Sequence, residues 1–242
     1  NRPFTAQLGM WKNFSLNSLE KILPYEFFGF PLSKLIMVII LLVVIALIIP
    51  LNLVLYLMKR DHLKGVPWLY FFSIGMGFMM VEVILIQKYA LLIGPSIYSL
   101  TTILLTLLIG SGVGSRFADR ISVRAAFLGI LLWLLLDLLL FEFVVSVTGG
   151  FSMWGRMLAT AILLAPLGFF MGMPFPKGAL RVGELIDWGF AVNGAASVLG
   201  STLIVLVAIS FGFNIALSLA GVFYLAAFGL LSLRGFWSTR GT

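Results

Sequence analysis

Residues 35–58 read LIMVIILLVVIALIIPLNLVLYLM, a run without a single charged side chain. About 20 predominantly apolar residues let a helix cross a hydrocarbon core roughly 30 Å thick, so this run is long enough to span a membrane. Its Pro50 predicts a kink rather than a break. Working outward, six further stretches meet the same criterion, at approximately 66–89, 96–115, 125–147, 156–175, 188–210 and 213–233. The connections are short: KRDHLKG, IGPS, ADRISV, TGGFS, PKGALRVGELID and SFGFN. Short connections make neighbouring helices antiparallel. The expected architecture is an all-α, polytopic transmembrane bundle of about seven spans over residues 34–242.

Composition agrees. Of 242 residues, 61% are hydrophobic and 10% charged, with 22 Phe, and the mean hydropathy is +1.13. A soluble domain carries roughly 25% charged residues, and one this apolar would expose patches far larger than monomers tolerate. Disorder needs low hydrophobicity, and a disulfide scaffold needs cysteine, of which there is none. The net charge of +7 is spread through short loops. That dispersal suits lipid head groups and argues against nucleic acid as a partner.

Residues 1–33 differ from the rest. The stretch LGMWKNFSLNSLEKILPYEFFGFP alternates apolar and polar positions, which suits an amphipathic lead-in helix lying in the membrane interface. The chain opens Asn1-Arg2-Pro3-Phe4, with no initiator Met and no cleavable signal pattern, and so reads as the end of a longer polypeptide or as the ordered part of one. Orientation follows from lysines and arginines in the loops. Lys59, Arg60, Lys64, Arg116, Arg120, Arg124, Lys177, Arg181, Arg234 and Arg240 collect on one side, against Lys88 and Arg156 on the other. The C-terminus is therefore expected to be cytoplasmic.

Polar groups inside a span are costly and ask for a partner or a purpose. Glu82 sits near the middle of the second stretch, with Gly75 and Met79 on its side of the helix. It reads either as a proton- or cation-binding carboxylate or as a structural carboxyl bonded to Asn193 or to a hydroxyl of another span. Asp137 is the other deep acid, without a base nearby in sequence, while Glu142 lies close enough to a helix end to snorkel. Gln87 and Lys88 end the second stretch, and Lys88 is expected to reach the interface as an anchor. Glu82, Asp137, Asn193 and Gln87 are the candidate substrate- or ion-binding residues.

Other residues carry packing information. Gly110 and Gly114, like Ser111 and Ser115, form small-xxx-small pairs that let two helix backbones approach closely. Pro166, Pro174 and Pro176 interrupt the end of the fifth stretch, with Gly168 and Gly172 among them. Such a break either lines a transport site or simply stops the helix and begins an interfacial segment. The sixth stretch opens with Trp188, expected as an interface anchor. It then presents Asn193, Gly194, Ala196, Ser197, Gly200 and Ser201 as a small polar face for packing or for lining a path. His62 falls in a loop. No metal-ligand cluster, no catalytic Ser-His-Asp set and no nucleotide fingerprint appears, so neither a catalytic residue, a metal site nor a cofactor is expected in this chain.

Three blocks taken together resemble the multi-span region of bacterial spermidine-synthase-like membrane proteins. They are GMGFMMVEVILIQKYALLIGPSIYSLTTILLTLLIGSGVGS, PLGFFMGMPFPKGALR and WGFAVNGAASVLGSTLIVLVAISFGF. Glu82, Gln87, Pro174, Pro176, Asn193, Gly194 and Ser197 are the matching positions. The resemblance implies a bacterial inner-membrane domain beside a soluble, S-adenosylmethionine-class domain upstream, where any aminopropyltransferase- or methyltransferase-like chemistry would lie. The glycine-rich end of the third stretch, followed by Asp119-Arg120, is more weakly similar to a loop motif of major facilitator transporters. Three functions follow as expectations: a non-catalytic anchor or assembly domain, a transporter or channel for a cation such as a polyamine or proton, or an accessory subunit of a larger membrane complex.

Overall fold

In the computed structural model, the structure describes residues 26–27, 30–31, 35–47 and 65–233. Six helices of 19 to 28 residues dominate it: α2 (Val66–Ile93), α3 (Ile97–Arg116), α4 (Val123–Thr148), α5 (Met153–Met171), α7 (Ile186–Phe211) and α8 (Phe213–Ser232). A shorter apolar helix, α1 (Leu35–Leu47), precedes them. A nine-residue helix, α6 (Pro174–Val182), and the 3-10 turn Gly183–Leu185 join α5 to α7. Besides helices, the described residues include one two-residue antiparallel pair, Glu26–Phe27 with Phe30–Pro31.

At about 1.5 Å per residue a 20-residue helix is about 30 Å long, which matches the hydrocarbon core. The long helices are apolar enough to cross a membrane, and they correspond to six of the seven expected spans. The first expected span is helical over Leu35–Leu47. Its remainder with Pro50, like His62 and most of the 1–33 lead-in, lies outside the described residues.

The boundaries follow from local chemistry. Gly94 ends α2 with φ 117°, a conformation that a side chain would strain. Ser96 then caps α3 in a reciprocal box with Ser99, and Ser122 and Ser152 cap α4 and α5 by accepting from Ala125 N and Gly155 N. The cap of α4 is thus Ser122. Asp119 is exposed and precedes that helix by four residues. Gly212 (φ 87°) alone separates α7 from α8, which forces a reversal of the chain.

The run Met153–Phe211 is 59 residues of nearly continuous helix, or about 89 Å, far too long for one crossing. It breaks at Gly172–Met173 and again at Gly183–Leu185. Pro174 and Pro176 stand in the first turn of α6, where a proline's missing N–H costs nothing. Of the two arrangements open from sequence, the prolines stop one helix and begin another; only Pro166 lies inside a helix, α5.

The helices alternate in direction from α2 to α5. α7 runs parallel to α2, since Phe71 faces Gly189 and Gly75 faces Asn193. α2 is the central helix: 67% of its most apolar window is buried, against 17–39% in the other spans. It packs mainly on α7 and α8, with α3 also against it, while α3 packs on α5 and α4 on α8 and α5. The core holds Tyr70, Phe71, Met80, Ile84, Leu85, Tyr89, Phe127 and Tyr224. Trp188, expected at the interface, belongs to this core. Large apolar side chains such as Leu139, Phe143, Ile162, Trp154 and Phe211 point outward. An apolar exterior is stable in lipid and not in water, so this is a membrane-embedded helical bundle.

Candidate functional site

The buried polar groups gather along α2. Nearest its start, the Tyr70 hydroxyl donates to the Pro174 carbonyl at 2.6 Å. The bond ties α2 to the first turn of α6. Gly178 of α6 lies so close to the Tyr70 and Phe71 rings that a Cβ there would meet them.

Five residues before the end of α2, Lys88 is buried, with 3% of its surface exposed, and it is not the interface anchor expected from sequence. Its ammonium donates to Asp137 Oδ2 on α4 at 2.5 Å and reaches the Asp137 carbonyl at 3.3 Å. The Tyr89 hydroxyl donates to the other carboxylate oxygen at 2.6 Å. Phe141, one turn beyond Asp137, completes the cluster. Its ring lies 4.2 Å from the Lys88 ammonium and packs edge-on against Tyr89 at 5.2 Å. Each carboxylate oxygen of Asp137 therefore has a donor, and the lysine charge has both an anion and an aromatic face.

The lysine was misread because of its direction. A lysine near a helix end commonly snorkels outward. In a helix, however, side chains lean toward the N-terminus, so this stem points back into the membrane. Lys88 lies about 8 Å from its helix end and Asp137 about 17 Å from the matching end of α4, a gap that a four-carbon stem can close. The available signal was an opposite charge on a second span running the same way at comparable depth.

Glu82 is the contrasting case. It is 8% exposed, and among the described residues no hydrogen bond or ion pair reaches its carboxylate. Asn193, one candidate partner, instead lies against Gly75, about 10 Å up the helix from Glu82. A Cβ on Gly75 would come within 3.0 Å of both Asn193 Oδ1 and the Ala196 methyl. Gly75 is thus a point of close approach of α2 to α7. Gln87 is half-buried beside Lys88.

The small residues divide by face. Gly200 lies against Met76, and a Cβ there would come within 3.0 Å of the Met76 carbonyl. Ser197 donates to the Asn193 carbonyl of its own helix at 2.8 Å. Gly194 is exposed, with nothing near the place of a Cβ. On α3, Gly110 and Gly114 meet Ala165, Gly168 and Phe169 of α5, and in return Gly168 and Gly172 meet Leu107, Gly110 and Ser111. The expected close packing of Gly110 and Gly114 is present, and its other half is the glycine pair inside the Pro-rich stretch.

Long side chains donate to backbone carbonyls of other elements. Arg156 donates to the Leu92 carbonyl at 2.8 Å, Trp133 to the Leu163 carbonyl at 2.6 Å, and Arg181 to the Leu231 carbonyl. Lys177 of α6 donates to the carbonyls of Ala118 (2.6 Å) and Ile121 (2.5 Å) in the α3–α4 turn. The Leu92 and Leu231 carbonyls fall in last helical turns, which helix geometry leaves open, while Leu163 lies inside α5 and Ala118 and Ile121 in a turn. None of these contacts was visible in sequence spacing. Among the described residues, no group of three or more His, Cys, Asp or Glu converges as a metal site would require.

The class the fold and the buried site define is a multi-pass helical membrane domain. Compared with protein-family models, curated proteins and solved structures, the chain matches none.

Proposed function

We propose that this chain is the integral membrane domain of a spermidine-synthase-like protein, a non-catalytic anchor or assembly unit. In this reading it has seven spans in a bacterial inner membrane, with a cytoplasmic C-terminus. The observation that carries it is the use to which the interior puts its polar groups. Lys88, Tyr89 and Asp137 saturate one another and hold α2 to α4. The glycines of α3 and α5 hold those two helices in backbone contact. Interactions of this kind fix helices in place, and the outward apolar faces leave a surface for lipid or for neighbouring membrane subunits.

Two experiments test it. Reporter fusions after each connection and at the C-terminus are expected to give seven crossings with the C-terminus inside; an external C-terminus refutes that topology. Purified chain in liposomes, without any soluble partner, is expected to neither modify a polyamine nor transport one. Partner-free aminopropyl or methyl transfer, or polyamine uptake lost in Glu82→Gln and Asn193→Ala, would refute the anchor reading.

A further inference from the structure

Two acids lie deep in this bundle, and they are treated differently. Asp137 has a lysine and a tyrosine on its two oxygens. Glu82 is about as deep, is 8% exposed, and has neither a cation nor a hydrogen-bond donor among the described residues. The helices packed on α2 offer little else. α7 carries only Asp187 in its first turn; α3 carries Tyr98 and Arg116 at opposite ends; α5 carries Arg156 in its first turn. α6 and the following turn carry Lys177, Arg181 and Glu184 at the far end. On its own helix, the Lys88 ammonium is committed to Asp137 of α4, whose other ionisable groups are Arg124 and the exposed Glu142.

The exception is Tyr224, the one ionisable side chain of α8 in its described length. It is 1% exposed, and its hydroxyl is buried without a hydrogen-bond partner among the described residues. Its ring lies against Gly77, where a Cβ would be 3.1 Å from Cε2. Its hydroxyl lies within electrostatic range of Glu82 and also of Tyr70, nearer the start of α2. A bare carboxylate in such surroundings costs several kcal/mol, and neutralisation relieves that cost. Lys88 neutralises Asp137; for Glu82 a proton neutralises the carboxylate without requiring a further side chain.

We propose that Glu82 is a proton-binding site in the interior of the bundle, held as the neutral acid at neutral pH, with the Tyr224 hydroxyl as the ionisable group coupled to it. The inference does not depend on the anchor reading, and it concerns an inner-membrane acid that reading leaves unused.

The test uses the full chain in lipid nanodiscs. Its infrared spectrum is expected to show a protonated-carboxyl band at neutral pH that is absent in Glu82→Gln; a spectrum without that band overturns the proposal. Dicyclohexylcarbodiimide, which partitions into lipid, gives the chemical readout. The acid O–H adds across one C=N bond, oxygen to carbon and proton to nitrogen. The acyl group then shifts to nitrogen as a stable N-acylurea, with no by-product. Peptide mass spectrometry is expected to find this adduct on Glu82 and not on Asp137, falling as pH is raised from about 6 to about 9. Tyr224→Phe is expected to move the pH of half-labelling; an unmoved value overturns the role of Tyr224. Protection by sodium at fixed pH would overturn the proton in favour of a metal cation.

Discussion

The buried pair between α2 and α4 gives the sharpest test of the fold. Lys88→Met removes the ammonium and leaves Asp137 with the Tyr89 hydroxyl as its remaining side-chain donor, in a pocket closed by Phe141. Removing one partner of a buried ion pair costs about 3–5 kcal/mol, because the other charge stays buried and uncompensated. A neutral hydrogen bond between membrane helices is worth only about 0.6 kcal/mol on average, and a surface lysine changes stability by roughly 0.5 kcal/mol or less. Those three magnitudes separate three readings of Lys88. We expect a loss near the first figure for Lys88→Met and a similar loss for Asp137→Leu. The double variant Lys88→Met/Asp137→Leu should recover most of it, since an apolar pair of similar volume has no charge to leave stranded. The assay is reversible unfolding in mixed micelles, read by circular dichroism and evaluated as a double-mutant cycle. A coupling below about 0.5 kcal/mol, the level at which independent sites add, would refute the ion pair. So would a Lys88→Met protein as stable as the parent.

Other outcomes follow from the close approaches. Gly114→Ala and Gly172→Ala drive a methyl into the backbone of Phe169 and Ser111, respectively, and should each cost about 1–3 kcal/mol of unfolding stability. Gly194→Ala meets nothing and should stay within about 0.5 kcal/mol of the parent, a control on the same scale. Tyr70→Phe deletes the bond to the Pro174 carbonyl, and a loss of about 1 kcal/mol with faster hydrogen exchange in α6 is expected. Unchanged exchange there would show that Gly178 packing and the Lys177 and Arg181 contacts hold α6 without this bond. Lys177→Met frees the Ala118 and Ile121 carbonyls, so protease cleavage in the α3–α4 turn should accelerate, and an unaltered rate would argue against that clamp.

Much of this was legible along the chain. Span length, the short turns, the serine caps and the glycine stops are local properties, set by hydrophobic run length and by what each residue's backbone tolerates. Six of the expected crossings accordingly appear as helices within a few residues of their expected ends. Gly110 and Gly114 were readable as a packing edge because small residues at i and i+4 share a helix face. Their partner pair, Gly168 and Gly172, also has the i, i+4 spacing, but it lies among prolines whose helix-breaking signal dominates that stretch.

The tertiary structure decided what each polar residue inside the spans is for. Lys88 and Asp137 are 49 positions apart, and no periodicity links them. Their meeting depends on α2 and α4 running the same way and on a lysine stem leaning inward. Trp188 became core for a similar reason, since the helix face that it occupies is the one turned to α2. Glu82 was singled out from sequence by depth alone. Only the assembled bundle distinguishes it from Asp137, because whether a buried charge is compensated depends on which neighbour the fold places beside it, and that is a property of contacts between helices.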